Sequence, residues 1–394
     1  MRPARRIEVS RVLKVVESTA EGARRLAEAL ELLEVGRPAV LSGPGRTRQL
    51  AADLMAGAGD LGLGERGRVA GREQKTAGAG GSRPVPGEPG GPGEPGQGKG
   101  DVPPGPWIVH APTLAESDRL AELAAAAGAD GIIAVGGGSV LDTGKHVAAR
   151  LDLPLVVVPT QISHDGIVSP VAVLRGPDQR KHSLAASMPA AVIAPLHWIA
   201  EAPRSMILAG IGDLLSNLSA VEDWRLAADH GRDRFDDFSA FLARHAARSV
   251  LRVLAAGGAD DPAFLEDPAF VVELLEGLML SGLAMAIAGT SRPCSGSEHL
   301  LSHAIDYLYG GVAAHGLQVA AATVPMLRLQ GQDELAREVE GVFRKLGIPC
   351  HLAALGLGPD AIAAAARQAP AMRPGRFTIL DVVEPAAVAR ALAG

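Results

Sequence analysis

The sequence predicts an α/β domain followed by an all-helical domain. Apolar runs of strand length alternate with helical segments up to about residue 195. A glycine turn joins one of those strands to the next helix, and beyond Pro195 the pattern is Ala/Leu-rich and helical almost to the end. A chain of 394 residues is long enough for two cores, so the expected domains are 1–195 and 196–394.

The elements follow in order. PAVLSGPG, Pro38 to Gly45, reads as a short strand running into a Gly/Pro turn, and RQLAADLM behind it has helical spacing. From Thr76 to Pro106 almost no apolar side chain is present to offset the entropy of ordering, so residues 76–106 are expected to be a disordered surface insertion. WIVHAP, Trp107 to Pro112, reads as a strand, and LAESDRLAELAAAAG as a helix that stops at Gly128. DGIIAVGGGSVLDTGKHVAARLDLPLVVVPT then runs strand, glycine turn, helix, strand, the last over Leu155 to Val158. That alternation is the mark of a parallel sheet with covering helices. SPVAVL and AAVIAP are two further strand-like runs.

Composition narrows the function. Hydrophobic residues at 47% with 21% charged describe a globular protein. The net charge is -6, and Lys and Arg form no stripe, so neither a nucleic-acid nor a membrane partner is expected. Phe270 to Ala288 is long and apolar, but Glu273, Glu276, Gly277, Ser281 and Gly282 favour a buried core helix over a membrane span. The amino end has no apolar h-region of a secretory signal. The two cysteines, Cys294 and Cys350, form neither a disulfide framework nor a zinc-ribbon spacing, which suits a reducing cytoplasm.

Two loops and three histidines carry the chemistry. Gly136-Gly137-Gly138-Ser139 lies between strand IIAV and helix VLDTGKHVAA. There the backbone can approach a phosphate, and the helix amino terminus offers free N–H groups and partial positive charge. A tight turn using glycine for steric reasons alone fits the same residues. PTQISHDGIVSP follows the next strand, placing Ser163, His164 and Asp165 where open α/β sheets bind ligands, or in an ordinary polar turn. His299 and His303 stand four residues apart on one helix face, and His315-Gly316 follows. The set suits a divalent metal; buried neutral imidazoles satisfied by hydrogen bonds are the alternative. For a third ligand, Asp213 stands at what reads as the glycine-flanked start of a helix, where an N-cap is its other use, and Glu298, Asp306 and Asp223 compete.

Together, GGGSVLDTGK, PTQISHDGIVSP, GIGDLLSNLSAVEDW, SRPCSGSEHLLSHAID, HGLQVA and RPGRFTIL resemble the sn-glycerol-1-phosphate dehydrogenases, in the superfamily of glycerol dehydrogenase, iron-containing alcohol dehydrogenases and dehydroquinate synthase. The match runs from about Pro38 to Leu380 apart from the insertion, and SHDG with RPCSGSEH points to the glycerol-1-phosphate branch. The resemblance implies a Rossmann-like amino-terminal domain, a dehydroquinate synthase-like all-α carboxy-terminal domain and an active site in the cleft between them. It implies Asp213, His299 and His315 as metal ligands, with His303 and Asp165 on the substrate side as catalytic residues. It implies nucleotide binding by Gly136, Gly137, Gly138, Ser139, Val140, Leu141, Thr160, Gln161, Ile162, Ser163 and Ser169. The expected cofactors are NAD or NADP and one divalent metal, zinc first. The expected reaction is reversible reduction of dihydroxyacetone phosphate to sn-glycerol 1-phosphate, with that small phosphorylated substrate as partner and a homo-oligomer as the working form.

Two departures bear on this. HGLQV carries Leu317 where an acidic residue is common, and AAVIAP ends on Pro195 where aspartate is often seen. Leu317 keeps open a same-fold dehydrogenase for another polyol or ketone; a cyclase resembling dehydroquinate synthase is a further same-fold alternative, against which the SHDG loop argues. A nucleotide-binding protein without catalysis is the alternative from another class.

Overall fold

The computed structural model describes residues 12–61 and 106–394; the expected insertion, apart from Pro106, lies outside them. Eight strands are described: β1 (Val12–Val16), β2 (Pro38–Ser42), β3 (Trp107–Ile108), β4 (Gly131–Gly136), β5 (Leu155–Pro159), β6 (Val171–Arg175), β7 (Lys181–Ala185) and β8 (Ala191–Pro195). Six make one sheet in the order β1-β8-β5-β4-β2-β3, and every pairing is parallel. β6 and β7 form a separate antiparallel ribbon.

β4, β5 and β8 are buried along their whole length, as strands covered on both faces must be. Their side chains divide by the period of two. Ile133, Val135, Val156, Val158 and Ile193 pack beneath helices α1 (Thr19–Leu32) and α2 (Arg46–Asp60). Ile132, Ala134, Val157 and Val192 face the other way, with Leu120 of α3 (Leu114–Ala126) and Leu141 of α4 (Gly138–Leu151). Ser18 and Thr113 cap α1 and α3, each hydroxyl accepting from the backbone N–H three residues on, at 3.2 and 3.1 Å.

Two strands lie outside the expected runs. β1 pairs with β8 at the sheet edge, ending with Val16 opposite Pro195. β7, KHSLA, alternates exposed and half-buried positions, so no apolar run announces it. The strand expected over Trp107 to Pro112 shrinks to two residues, because its partner β2 ends at Ser42, opposite Ile108.

From Leu196 onwards the described residues form helices joined by loops and short 3-10 turns: α5 (Leu196–Ala200), α6 (Arg204–Asp229), α7 (Asp237–Ala255), α8 (Pro268–Ala288), α9 (Ser297–Tyr309), α10 (His315–Leu329), α11 (Asp333–Leu346), α12 (Pro359–Gln368) and α13 (Pro385–Ala393). α8 is the helix long and apolar enough to cross a membrane, but Phe270, Leu274 and Leu278 are core residues and more than half of its apolar window is buried inside the fold. Two of its polar groups are engaged: Asn217 donates to Ser281 Oγ at 2.7 Å, and Ser249 donates to Glu273 at 2.7 Å.

The largest cluster of buried apolar side chains is continuous from Leu41 and Ile132 through Leu214 and Leu278 to Val324 and Phe343. The sheet part and the helical part therefore share one core. At its centre is α6, buried all round, and α10 lies against it closely enough to leave no room for side chains. A Cβ on Gly212 would stand 2.5 Å from the Gly316 carbonyl oxygen; one on Gly316 would stand 2.0 Å from that of Ala209. The residue after each of the first glycine and before the second is a polar one, Asp213 and His315, so the same approach sets both at the junction.

Candidate metal and nucleotide site

Asp213 was expected at a helix start. The helix instead begins at Arg204, and Asp213 sits in its third turn, where it cannot act as an N-cap. The preceding glycines serve close packing: a Cβ on Gly210 would come 2.4 Å from the Ile162 carbonyl oxygen. Asp213 is 3% exposed. Its Oδ2 accepts the backbone N–H of Asp165 at 2.9 Å, while Oδ1 is buried without a hydrogen-bond partner. Nε2 of His299 and Nε2 of His315 each lie 3.8 Å from that Oδ1.

The three candidate ligand atoms lie within 4.8 Å of one another, a spacing one ion between them can span. The orphaned oxygen supports the same fit, since a buried polar atom without a partner is costly. The competing carboxylates are already used. Asp223 accepts from the N–H groups of Ser297 at 2.6 Å and Ile379 at 2.7 Å. Asp306 pairs with Lys181 at 2.8 Å. Glu298 accepts from Gly296 N at 2.6 Å and Ser219 Oγ at 3.0 Å, and its Oε1 meets His299 Nδ1 at 3.0 Å. A carboxylate on Nδ1 holds the proton there and turns the Nε2 lone pair towards Asp213. His315 Nδ1 is 3.3 Å from Ser302 Oγ, which also receives Gln318 Nε2 at 3.1 Å.

The electrostatics are those of a dry, crowded site. Burial, reinforced by Asp165, pushes the Asp213 carboxyl up to about 8. Burial alone would lower His299, but Glu298, Asp213 and Asp165 together hold it above its ordinary value. His315 is driven well below its ordinary value by burial and by the neighbouring His299, His164 and His303. His303 is pushed down to about 3 by burial, then by His299, Arg373, Arg376 and Lys181. The His303 ring centroid is 6.4 Å from that of His299 and 6.3 Å from that of His315, and among the described residues it has no hydrogen-bond partner. It is therefore a neutral ring free to meet a ligand.

The two loops meet beside this cluster. α4 begins at Gly138 with no side-chain cap, which leaves its first N–H groups free. A Cβ on Gly137 would fall 2.8 Å from the Gln161 side chain, and one on Gly138 would fall 2.4 Å from His164 Nε2. The glycines therefore have a steric use in seating the second loop, and the open helix terminus is compatible with a phosphate there. Ser139 is exposed and Gly137, Gly138, Thr160, Gln161 and Ser163 are half-buried, all open to a ligand. Gly136, Val140, Leu141 and Ile162 are buried; the three apolar side chains belong to the core. Ser169 is 3% exposed, and its hydroxyl faces Lys145 and the Val171 carbonyl rather than the loop mouth.

Three residues, Lys145, Arg373 and Arg376, were not singled out from the sequence as site groups, and His164 was named there only as part of its loop. His164 lies 6.2 Å, ring to ring, from His315, and its Nδ1 accepts from Gly166 N at 2.9 Å. Lys145, fully buried, donates to the Gly166 carbonyl at 2.8 Å and pairs with Asp142 at 2.7 Å. Arg373 and Arg376 bear on His303 from the loop before the last 3-10 turn. Two signals were available: GGGSVLDTGK contains the lysine, and RPGR is a turn with a cation at each end. Leu317, the departure from the expected acidic residue, packs against the main core, and Ser302 with Gln318 supports His315 instead.

This fold, with its buried Asp213, His299 and His315 cluster, is that of the iron-containing alcohol dehydrogenase class. The sequence model described as iron-containing alcohol dehydrogenase matches residues 104–203. Among solved structures, a probable glycerol dehydrogenase from Sinorhizobium meliloti superposes with TM-score 0.69 at 22% identity, covering 99% of this chain and 97% of the other. Glycerol dehydrogenase from Schizosaccharomyces pombe gives 0.69 at 17% identity, covering 99% and 89%. Glycerol-1-phosphate dehydrogenase of Hyperthermus butylicus is 42% identical over 249 residues, 63% of this chain and 69% of that protein. The Sulfolobus acidocaldarius enzyme of the same name is 37% identical over 273 residues, 69% and 75% of the two chains. The chain belongs to the NAD(P)-dependent glycerol-1-phosphate dehydrogenase family.

Proposed function

We propose that the protein catalyses the reversible NAD(P)H-linked reduction of dihydroxyacetone phosphate to sn-glycerol 1-phosphate. The observation that carries this reading is the convergence of Asp213, His299 and His315 on one buried, unpartnered oxygen beside two glycine-containing loops at the ends of β4 and β5. Relatives at 42% and 37% identity bearing that activity in their name support it. Asp213, His299 and His315 would hold a divalent ion, zinc by donor set; bound there it supplies Lewis acidity to a ketone oxygen, and the nicotinamide supplies hydride.

The chain's own residues do the rest. Glu298 keeps the His299 proton on Nδ1, so Nε2 keeps a free lone pair for the ion. The Asp165 amide fixes one Asp213 oxygen and so aims the other. His303, held neutral, meets the substrate as a hydrogen-bonding ring and passes a proton between solvent and the product oxygen. Asp165 would orient a substrate hydroxyl. Free N–H groups at Gly138 and Ser139 suit the nucleotide pyrophosphate, with Thr160 to Ser163 closing over it.

The working form is a homo-oligomer in a reducing cytoplasm. The exposed Tyr307, Leu308, Tyr309 and Val312 at the end of α9 are suited to self-association, and Cys294 and Cys350 are free thiols. The test of function is direct. Protein reconstituted with zinc should oxidise NADH or NADPH only when dihydroxyacetone phosphate is added, and the product should be sn-glycerol 1-phosphate. Absence of turnover with both nucleotides overturns the reading.

A further inference from the structure

Arg373-Pro374-Gly375-Arg376 is built as a turn: proline sets the first corner, Gly375 takes φ +83 at the second, and Arg376 N donates to the Arg373 carbonyl at 3.1 Å. The turn sends both guanidinium groups to the same place. Arg373 Nη1 donates to Ser291 Oγ at 2.7 Å and Arg376 Nη2 to the same oxygen at 2.9 Å. Arg376 also holds the Ser295 carbonyl, four residues before the ligand His299, and is only 8% exposed. Arg373 is half-buried.

Two like charges on one serine hydroxyl are unfavourable without an anion. Among the described residues neither arginine is ion-paired with a carboxylate, whereas nearby Arg292 pairs with Asp233 at 2.7 Å. Burial and then Arg373 and Arg292 bring the Arg376 guanidinium down to about 9. The 3-10 turn Ala369–Met372 just before them packs on α9, and their charges act on His303 from there. A doubly charged phosphoryl group offers the planar oxygen pairs that a guanidinium fork binds.

We propose that Arg373 is the residue that grips the phosphoryl group of the substrate, with Arg376 fixed behind it as a positioning residue that keeps the fork turned towards His303. This rests on the reading of the substrate as a phosphorylated ketone. It assigns the phosphate end of that substrate to the Arg373–Arg376 turn and the ketone end to the Asp213, His299 and His315 cluster.

The test compares zinc-loaded wild type with Arg373→Met and Arg373→Lys. Arg373→Met should raise the KM for dihydroxyacetone phosphate roughly a hundredfold while kcat falls no more than about threefold. Inhibition by inorganic phosphate should weaken in parallel, zinc content and NADH affinity should not change, and Arg373→Lys should recover part of the loss. An unchanged KM, or a loss of nucleotide affinity in place of substrate affinity, overturns the assignment. Should Arg373→Met fail to fold, the lysine variant carries the same comparison. Wild-type protein that ignores dihydroxyacetone phosphate would sink the functional reading instead; calorimetric titration with inorganic phosphate then decides the arginine alone, equal affinity in wild type and variant overturning it.

Discussion

The backbone N–H of Asp165 donates to one oxygen of Asp213 at 2.9 Å and leaves the other buried and unpaired, 3.8 Å from both His299 and His315. A loop at the end of the sheet thus aims a carboxylate that belongs to the helical part.

The first prediction concerns protons. Burial lifts the Asp213 carboxyl from its ordinary 3.8 to about 8 in the metal-free protein. A raised folded value stabilises the protonated native form fully below about 4, and that contribution is lost as pH rises through about 8. The metal-free protein should therefore lose thermal stability across this window. Zinc must displace the proton, so its affinity should rise with pH up to about 8. Calorimetry at pH 6 in buffers of different ionisation heat should read at least one proton released per zinc; zero protons contradicts the ligand set.

His299 and His303 should separate cleanly. His299→Ala removes a ligand and should lose zinc, whereas His303→Ala should retain zinc and lose turnover by roughly a hundredfold. Elemental analysis beside initial rates distinguishes them. Equal metal loss in both variants would mean that His303 is itself a ligand.

Glu298 is expected to tune the metal without touching it. Glu298→Gln keeps the size of the side chain but removes the charge that faces His299 Nδ1, so zinc affinity should fall about ten- to a hundredfold. Competition with a chromogenic chelator reads this, with circular dichroism confirming that the fold survives.

The approach of α10 to α6 can be tested with one methyl group. Gly316→Ala meets the Ala209 carbonyl, which as backbone cannot swing aside, and should cost about 1–3 kcal/mol together with weaker zinc binding. Gly341→Ala on α11 is the control. Its Cβ meets nothing within 4 Å, so stability should rise by about 0.5–1 kcal/mol. Denaturant midpoints give both signs.

What the sequence made legible follows from the range of the forces involved. β4, its glycine turn, α4 and β5 are local patterns of period and turn chemistry, and they stand where the residues placed them. Asp213 was misplaced because glycine beside aspartate resembles a helix start, while here the glycines answer the Ile162 carbonyl and α10, contacts far away in the chain. β7 stayed hidden because a half-exposed ribbon has no apolar run. The Arg373–Arg376 turn is local, yet what makes it a site is Ser291, more than eighty residues earlier. Leu317 packs against the main core, while His315 Nδ1 is met by Ser302 Oγ, which Gln318 in turn holds, a chain of contacts no local pattern announces.

Lys145 joins these observations. It lies on the helix that opens at Gly138 and grips the carbonyl of Gly166, the neighbour of the residue whose amide aims Asp213. The nucleotide turn and the metal seat are thus two ends of one short covalent and hydrogen-bonded path. Zinc and dinucleotide are then expected to be cooperative ligands, and thermodynamic linkage fixes the symmetry: the factor by which the ion tightens the dinucleotide equals the factor by which the dinucleotide tightens the ion.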